Sequence, residues 1–260
     1  MKKIVLTLIF CLLPLTAYCV NYNNDANCMG SWGMESANSE TDLSGEGGTL
    51  TESTDDDIPI SATKMFGDYS RDFEATDTEY LTHADNLSTD INGADQKISI
   101  MGWVNPESGG DYKPIITKYG STGQRQYAIV KESSGDRLQF SLSSDGTALA
   151  SAIGATDTDN SLGSWYHYVG VYNDTDIRVY VNGSLDSNGA SNPLTYSNGI
   201  KNSTAAFIIG TRVSLDLWFD GLIDDVGIFN RELTSAEVSD IYTNGMAGAA
   251  VTARRIIMIY

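Results

Sequence analysis

The chain is poor in cations, cysteine and histidine. Its 260 residues hold 16 Lys and Arg against 34 Asp and Glu, for a formal net charge of −18. A field of that sign repels phosphate backbones and argues against nucleic acid as a partner. Excess carboxylates keep an exported chain soluble, and they equally suit calcium, which takes carboxylate and carbonyl oxygens. Of three cysteines, Cys11 and Cys19 lie in the opening segment, which leaves Cys28 alone in the body of the chain. A single thiol makes no internal disulfide, so stability must come from a core. Cys28 is expected to be buried as a small hydrophobe, the alternative being a bridge between chains. Long apolar runs are missing beyond the opening, so no later segment is expected to span a bilayer.

The opening reads as a secretory signal over 1–19. Lys2 and Lys3 precede an apolar run from Ile4 to Leu15, and Ala17-Tyr18-Cys19 can supply a cleavage site. The alternative is a lipoprotein lipidated on Cys19, although Tyr18 is bulky for that processing. The expected address is secreted or cell-surface.

What is plentiful is Gly, Tyr, Ser, Thr, Asn and Asp, a mix that suits short strands joined by turns. Residues 20–27 read as a flexible lead-in. Cys28 to Met34 alternates as a first strand. Residues 36–62 are rich in Ser, Thr, Gly and Asp and read as either a linker or a decorated loop. Strand signals follow at Phe73–Leu81, Lys97–Val104, Ile115–Lys118, Gln126–Lys131, Leu138–Ser143, Trp165–Tyr172, Ile177–Val181, Ala206–Gly210 and Leu222–Phe229. Asn182-Gly183 is a hairpin signal, because both central residues of a type I′ turn need positive φ. One helix is predicted near 235–244: Thr234 is its N-cap, Glu237 its capping-box partner, and Gly245 its stop. The tail 246–260 is an added edge strand or a disordered end. The pattern predicts an all-β, two-sheet sandwich or barrel with one C-terminal helix.

These residues resemble the laminin-G-like, concanavalin A-like jelly-roll family of bacterial exported proteins. Gly30-Ser31-Trp32-Gly33-Met34-Glu35 resembles the family's first strand. Ser99-Ile100-Met101-Gly102-Trp103-Val104 and Trp165-Tyr166-His167-Tyr168-Val169 resemble core strands. Phe219-Asp220-Gly221-Leu222-Ile223-Asp224-Asp225-Val226, followed by Phe229-Asn230-Arg231-Glu232-Leu233, is the most specific piece. The resemblance covers roughly 28–245. It implies one antiparallel jelly roll, with 36–62 inside the domain as loops. It also implies a role in binding or adhesion, toward an extracellular glycan or a surface protein. The alternatives are a carbohydrate-active enzyme on the same fold and a structural piece of a surface assembly.

Catalysis on this fold needs a facing carboxyl pair. Glu74, Asp77 and Glu79 are the nearest set, but Glu74 and Asp77 are an odd number of positions apart, so a regular strand sends them to opposite faces. No serine elbow or metal-hydrolase spacing is present, and His167 shares a face with Trp165 and Val169 as a core residue would. The expectation is therefore a non-enzyme. Asp224 shares parity with Leu222, Val226 and Ile228 and should face inward. It then either accepts loop amides or ligates a structural calcium, with Asp77 and more weakly Glu79 as partners. Sugar-stacking candidates are Trp218, Tyr112, Tyr119 and Tyr196, all in or beside predicted loops; packing of each against its own loop is the plainer alternative.

Overall fold

The computed structural model describes residues 20–53, 57–85, 96–110, 112–214 and 216–248. The signal expectation over 1–19 and most of the tail lie outside them. Among the described residues, strands form two antiparallel sheets of nine and eight. In the first sheet the order is Ser184–Leu185, Asp176–Val181, Tyr166–Tyr172, Ile98–Pro106, Gly221–Phe229, Ser70–Phe73 and Ile60–Ser61. Cys28–Trp32 also pairs with Gly221–Phe229, and Leu194–Thr195 with Asp176–Val181. The second runs Ala150–Asp157, Arg137–Leu142, Arg125–Lys131, Lys113–Tyr119, Phe207–Ile209, Leu81–His83, Leu50–Glu52 and Ser39–Glu40.

Two hydrophobic cores follow from this layering. The main core lies between the sheets, where Trp32, Phe73, Ile100, Phe140, Phe207 and Ile223 are fully buried or nearly so. A second core lies on the outer face of the first sheet. There Met101, Val169 and Val171 meet Leu233, just before the helix Ser235–Asn244, and Val238 and Ile241 within it. The helix forms as its sequence dictates: the Thr234 side chain accepts from the Glu237 amide, Glu237 returns a bond to the Thr234 amide, and Gly245 ends it at φ 72°. Asn182 and Gly183 take φ 48° and 78°, as the hairpin signal requires.

The differences have local causes. Phe73–Leu81 is not one strand. The chain leaves the first sheet after Phe73, turns through Thr78 at φ 59°, and enters the second at Leu81. Residues 20–27 are not a loose lead-in: Tyr22 is buried, and its hydroxyl donates to Asp240 Oδ2 at 2.9 Å, tying the segment to the helix. Cys28 is a free, buried thiol. A register shift between Cys28 and Gly30 turns it toward the outer core while Trp32 enters the inner one. Residues 36–62 contribute short strands to both sheets.

Candidate functional site

The segment between Phe207–Ile209 and Gly221–Phe229 changes sheets, and on the way it folds back over the start of Lys113–Tyr119. Thr117 Oγ1 donates to Thr211 O at 2.9 Å, and the Phe219 amide donates to Gly210 O at 2.8 Å. Between these ties a cavity of about 430 Å³ opens, lined by Ala75, Tyr112, Lys113, Asp216, Leu217 and Trp218. Two of the four expected aromatics thus share one cavity. Both rings are half-buried, which leaves apolar surface facing solvent beside polar groups. Trp218 is steadied by Tyr80, with ring centroids 6.0 Å apart. Arg212 donates to both oxygens of Asp216 at 2.8 and 2.7 Å, and these bonds hold the Asp216 carboxyl well below the usual carboxylate range.

Tyr119 has another task. The guanidinium groups of Arg125 and Arg212 lie 5.0 and 5.9 Å from its ring centroid. It works as a cation–π seat for Arg212 and does not line the cavity. Tyr196 is not a rim residue. It is 9% exposed, packs edge-on against Tyr172 at 5.6 Å, and donates its hydroxyl to Gly199 O at 2.9 Å. Its loop is held against the sheet, so the ring serves the main core. Lys113, Arg212 and Asp216 were missed because isolated charges beside loops carry no sequence signal of a pocket.

The expected calcium ligands do not come together. Asp224 is fully buried, but on the outer face of the first sheet, paired with Trp103. The reason is a bulge: Asp224 opposes Trp103 and Gly227 opposes Met101, so one extra residue breaks the alternation that would have aligned Asp224 with Val226 and Ile228. Its Oδ2 accepts the amides of Met65 and Phe66 at 2.8 and 3.1 Å, and burial pushes the carboxyl up to about 7. Asp77 is exposed in the turn after Phe73 and accepts from Thr76 Oγ1 at 3.2 Å. Glu79 is buried nearby, where its Oε2 accepts the Glu74 amide at 2.7 Å. Glu79 feels the charges of Asp77, Glu74, Asp72 and Arg71, whereas Asp224 feels those of Asp225 and Glu35.

A different carboxylate set does meet. Asp72, Glu74 and Glu107 bring one oxygen each within 4.8 Å of one another at the end of the first sheet. Asp72 and Glu74 alternate, so they share a face. None of the three lines the aromatic cavity. His167 is fully buried against Trp103, its centroid 5.0 Å away, and burial pushes it down to about 3, so it stays neutral.

Burial and acidic neighbours push the Glu79 carboxyl up to about 7. The folded chain therefore holds a proton on Glu79 that the unfolded chain releases near pH 4.5, its ordinary value. The stability tied to this proton is complete below that pH and is lost as pH rises through about 7. Urea midpoints measured with chelator at pH 5 and pH 8 should fall with rising pH. Glu79→Gln should remove on the order of 2 kcal/mol of that fall, after allowance for solvent screening. An unchanged slope in the variant would assign the dependence to other groups.

A laminin G family model described as the concanavalin A-like lectin/glucanases superfamily matches residues 75–239. The chain belongs to this superfamily. No curated protein matches it. Among solved structures, Domain 4 of AbnA, an extracellular arabinanase from Geobacillus stearothermophilus solved with arabinotriose, is similar at TM-score 0.61 and 19% identity, covering 83% of this chain and 98% of that one. The receptor binding domain of botulinum neurotoxin mosaic serotype C/D is similar at TM-score 0.62 and 14% identity, covering 86% of this chain and 51% of that one. The serotype D ligand binding domain, solved with N-acetylneuraminic acid, gives 0.61 and 14%, covering 85% and 51%. The chain thus spans about half the length of these toxin domains. At such identities the likeness concerns the jelly-roll fold.

Proposed function

We propose that the chain is an exported, non-catalytic binding module that takes an extracellular glycan at the Tyr112–Trp218 cavity. One observation carries this reading: two half-buried aromatic rings share a cavity of about 430 Å³ with Lys113 and Asp216. Sugar rings stack their C–H faces on such rings, while charged groups at the edge accept or donate to hydroxyls. The arabinanase domain with arabinotriose and the toxin domain with N-acetylneuraminic acid support a glycan, while a further toxin binding domain is solved with the protein synaptotagmin II, so the choice of glycan rests on the paired aromatic rings. Screening the secreted protein on a glycan array selects a ligand for titration. Trp218→Ala and Tyr112→Ala should then each weaken binding about tenfold or more, or 1.4 kcal/mol per decade. Full affinity in both variants would move the site elsewhere.

The second reading is an enzyme. It is favoured by Asp72, Glu74 and Glu107, whose oxygens meet within 4.8 Å of one another, somewhat closer than the roughly 5 Å of a retaining pair. Release of reducing ends from the selected glycan, abolished by Glu74→Gln, would replace the binding reading.

A further inference from the structure

The charges around the Tyr112–Trp218 cavity are not those of the chain at large. The chain carries a formal net charge of −18, with 34 acidic residues against 16 basic ones. Among the described residues, Lys113 and Asp216 are the charged residues that line this cavity. Asp216 is already taken. Arg212 donates to both of its oxygens, and Ser214 Oγ donates to Oδ1 at 2.6 Å.

Lys113 is in the opposite position. It lies directly across from Lys131 where Lys113–Tyr119 pairs with Arg125–Lys131. Opposed residues point to the same face, and like charges there cost stability. The acids at that end serve Lys131, whose Nζ donates to Asp136 and, at 3.1 Å, to Asp159. The same two carboxylates also accept the Gly110 amide, at 3.1 and 2.7 Å. Lys113 has no ion pair among the described residues, so its ammonium is left to the cavity and to solvent.

Two more cations reach the Tyr112 end. Arg125 and Arg212 share the Tyr119 ring, and both act on the Tyr112 hydroxyl, opposing the burial that pushes it up. Arg125 has no carboxylate partner among the described residues. It donates to Thr147 O at 2.6 Å, and its Nε is buried without a partner. This end thus sets Lys113, Arg125 and Arg212 against Asp216. The Ala75 wall differs. The Ala75 amide donates to Asp220 Oδ1 at 3.3 Å, and Asp220 repels Glu74 and Glu107 of the acidic cluster behind it. The cavity is therefore polarised, with acids behind Ala75 and cations beside Tyr112.

Resting on the glycan reading above, we propose that the sugar taken at this cavity is acidic: a carboxylate or sulfate on it meets the Lys113 ammonium while the ring stacks on Trp218 or Tyr112. A neutral sugar gains nothing from the polarity, and a cationic one finds Asp216 occupied. An anion is repelled by the acids behind Ala75 and drawn to the Tyr112 end, which fixes the direction in which the sugar lies. Elsewhere the negative field keeps such a ligand off, so charge selects this cavity over the rest of the surface. Lys113 is the specificity residue. It offers three donors on a flexible stem and meets either anion as a point charge.

The test is calorimetric titration of matched sugars into the protein. Sialyl, glucuronyl and galacturonyl oligosaccharides are each set beside their uncharged methyl esters, and sulfated oligosaccharides beside their desulfated forms; the two arms tell carboxylate from sulfate. An acidic member should bind at least about tenfold tighter than its neutral partner at low salt, and that ratio should shrink severalfold at about 0.5 M salt. Lys113→Met should cut the acid-to-neutral ratio about tenfold, and Arg125→Met about threefold, which keeps a readout should the first variant fold poorly. Lys64→Met, which removes the same charge from an exposed loop, should leave the ratio unchanged. Neutral members that bind as tightly as their acidic partners would overturn the proposal and leave the glycan reading standing. So would a ratio that Lys113→Met and Arg125→Met do not move. Binding of no sugar in either arm would overturn both.

Discussion

Replacing Arg71 with leucine should lower the unfolding free energy by about 3–5 kcal/mol, the cost of leaving buried charges unpaired. Arg71 pairs in register with Ile223, a residue of the main core, so its side chain enters the space between the sheets. It is fully buried there and meets Glu40, at 3.3 Å, and Glu52 from the opposite sheet. Both glutamates are themselves nearly inaccessible, with 2% and 7% side-chain exposure. Glu40 is further committed to the amides of Glu35 and Ser36, each at 3.0 Å, so it cannot swing out to water. Removing the guanidinium strands two carboxylates in an apolar layer. Thermal unfolding should show a fall of roughly 10 °C. The triple variant Arg71→Leu/Glu40→Leu/Glu52→Leu should recover much of the loss, because it removes the desolvated charges together. A single-variant loss below about 1 kcal/mol would mean that these charges reach solvent.

Trp32→Ala should cost about 3–5 kcal/mol through a different mechanism, a cavity at the seam of the two sheets. The indole is fully buried and stacks on Phe207 of the second sheet, with centroids 5.2 Å apart. Its Nε1 donates to Gly48 O at 3.0 Å, fastening the loop that follows the first strand. The ring also lies over Gly30 and Gly47, where an added Cβ would stand 2.3 and 2.9 Å from its atoms. Large ring and bare backbone are therefore one packing unit, and the surroundings cannot collapse to fill the space. Trp32→Phe should cost less, and Gly30→Ala should destabilise by overpacking. Chemical denaturation of the three variants measures this ordering. Equal stability of Trp32→Ala and the parent would show that the first strand is not part of the cooperative unit.

Much of this fold was legible because its main signals are local. The alternation in 98–104 and 166–172, the Asn182-Gly183 turn and the Thr234–Glu237 capping box each act over a few residues, and each formed where its chemistry pointed. The strand Ala150–Asp157 was missed because its run of Ala, Ser and Gly offers none of the branched or aromatic side chains that mark strands. The lead-in was misread for a long-range reason: Tyr22 is ordered by Asp240, 218 positions away. Site residues suffered most. Alternation assigns Asp224 a face only while the strand stays regular, and a bulge leaves no mark in the sequence beyond a charged pair that also suits a solvated edge. Tyr112 and Trp218 were found as loop aromatics, but their meeting depends on a segment that changes sheets. Tyr196 had the same local signature and a different fate, because its hydroxyl found Gly199 and its ring found Tyr172.

The most direct test of the binding account is a crystal structure of the protein with the tightest ligand from the glycan array. The account predicts a sugar ring stacked on Trp218 or Tyr112, with hydroxyls or a carboxylate within hydrogen-bond reach of Lys113 and Asp216. A glycan lodged instead against Asp72, Glu74 and Glu107, or elsewhere with the Tyr112–Trp218 cavity empty, would contradict it.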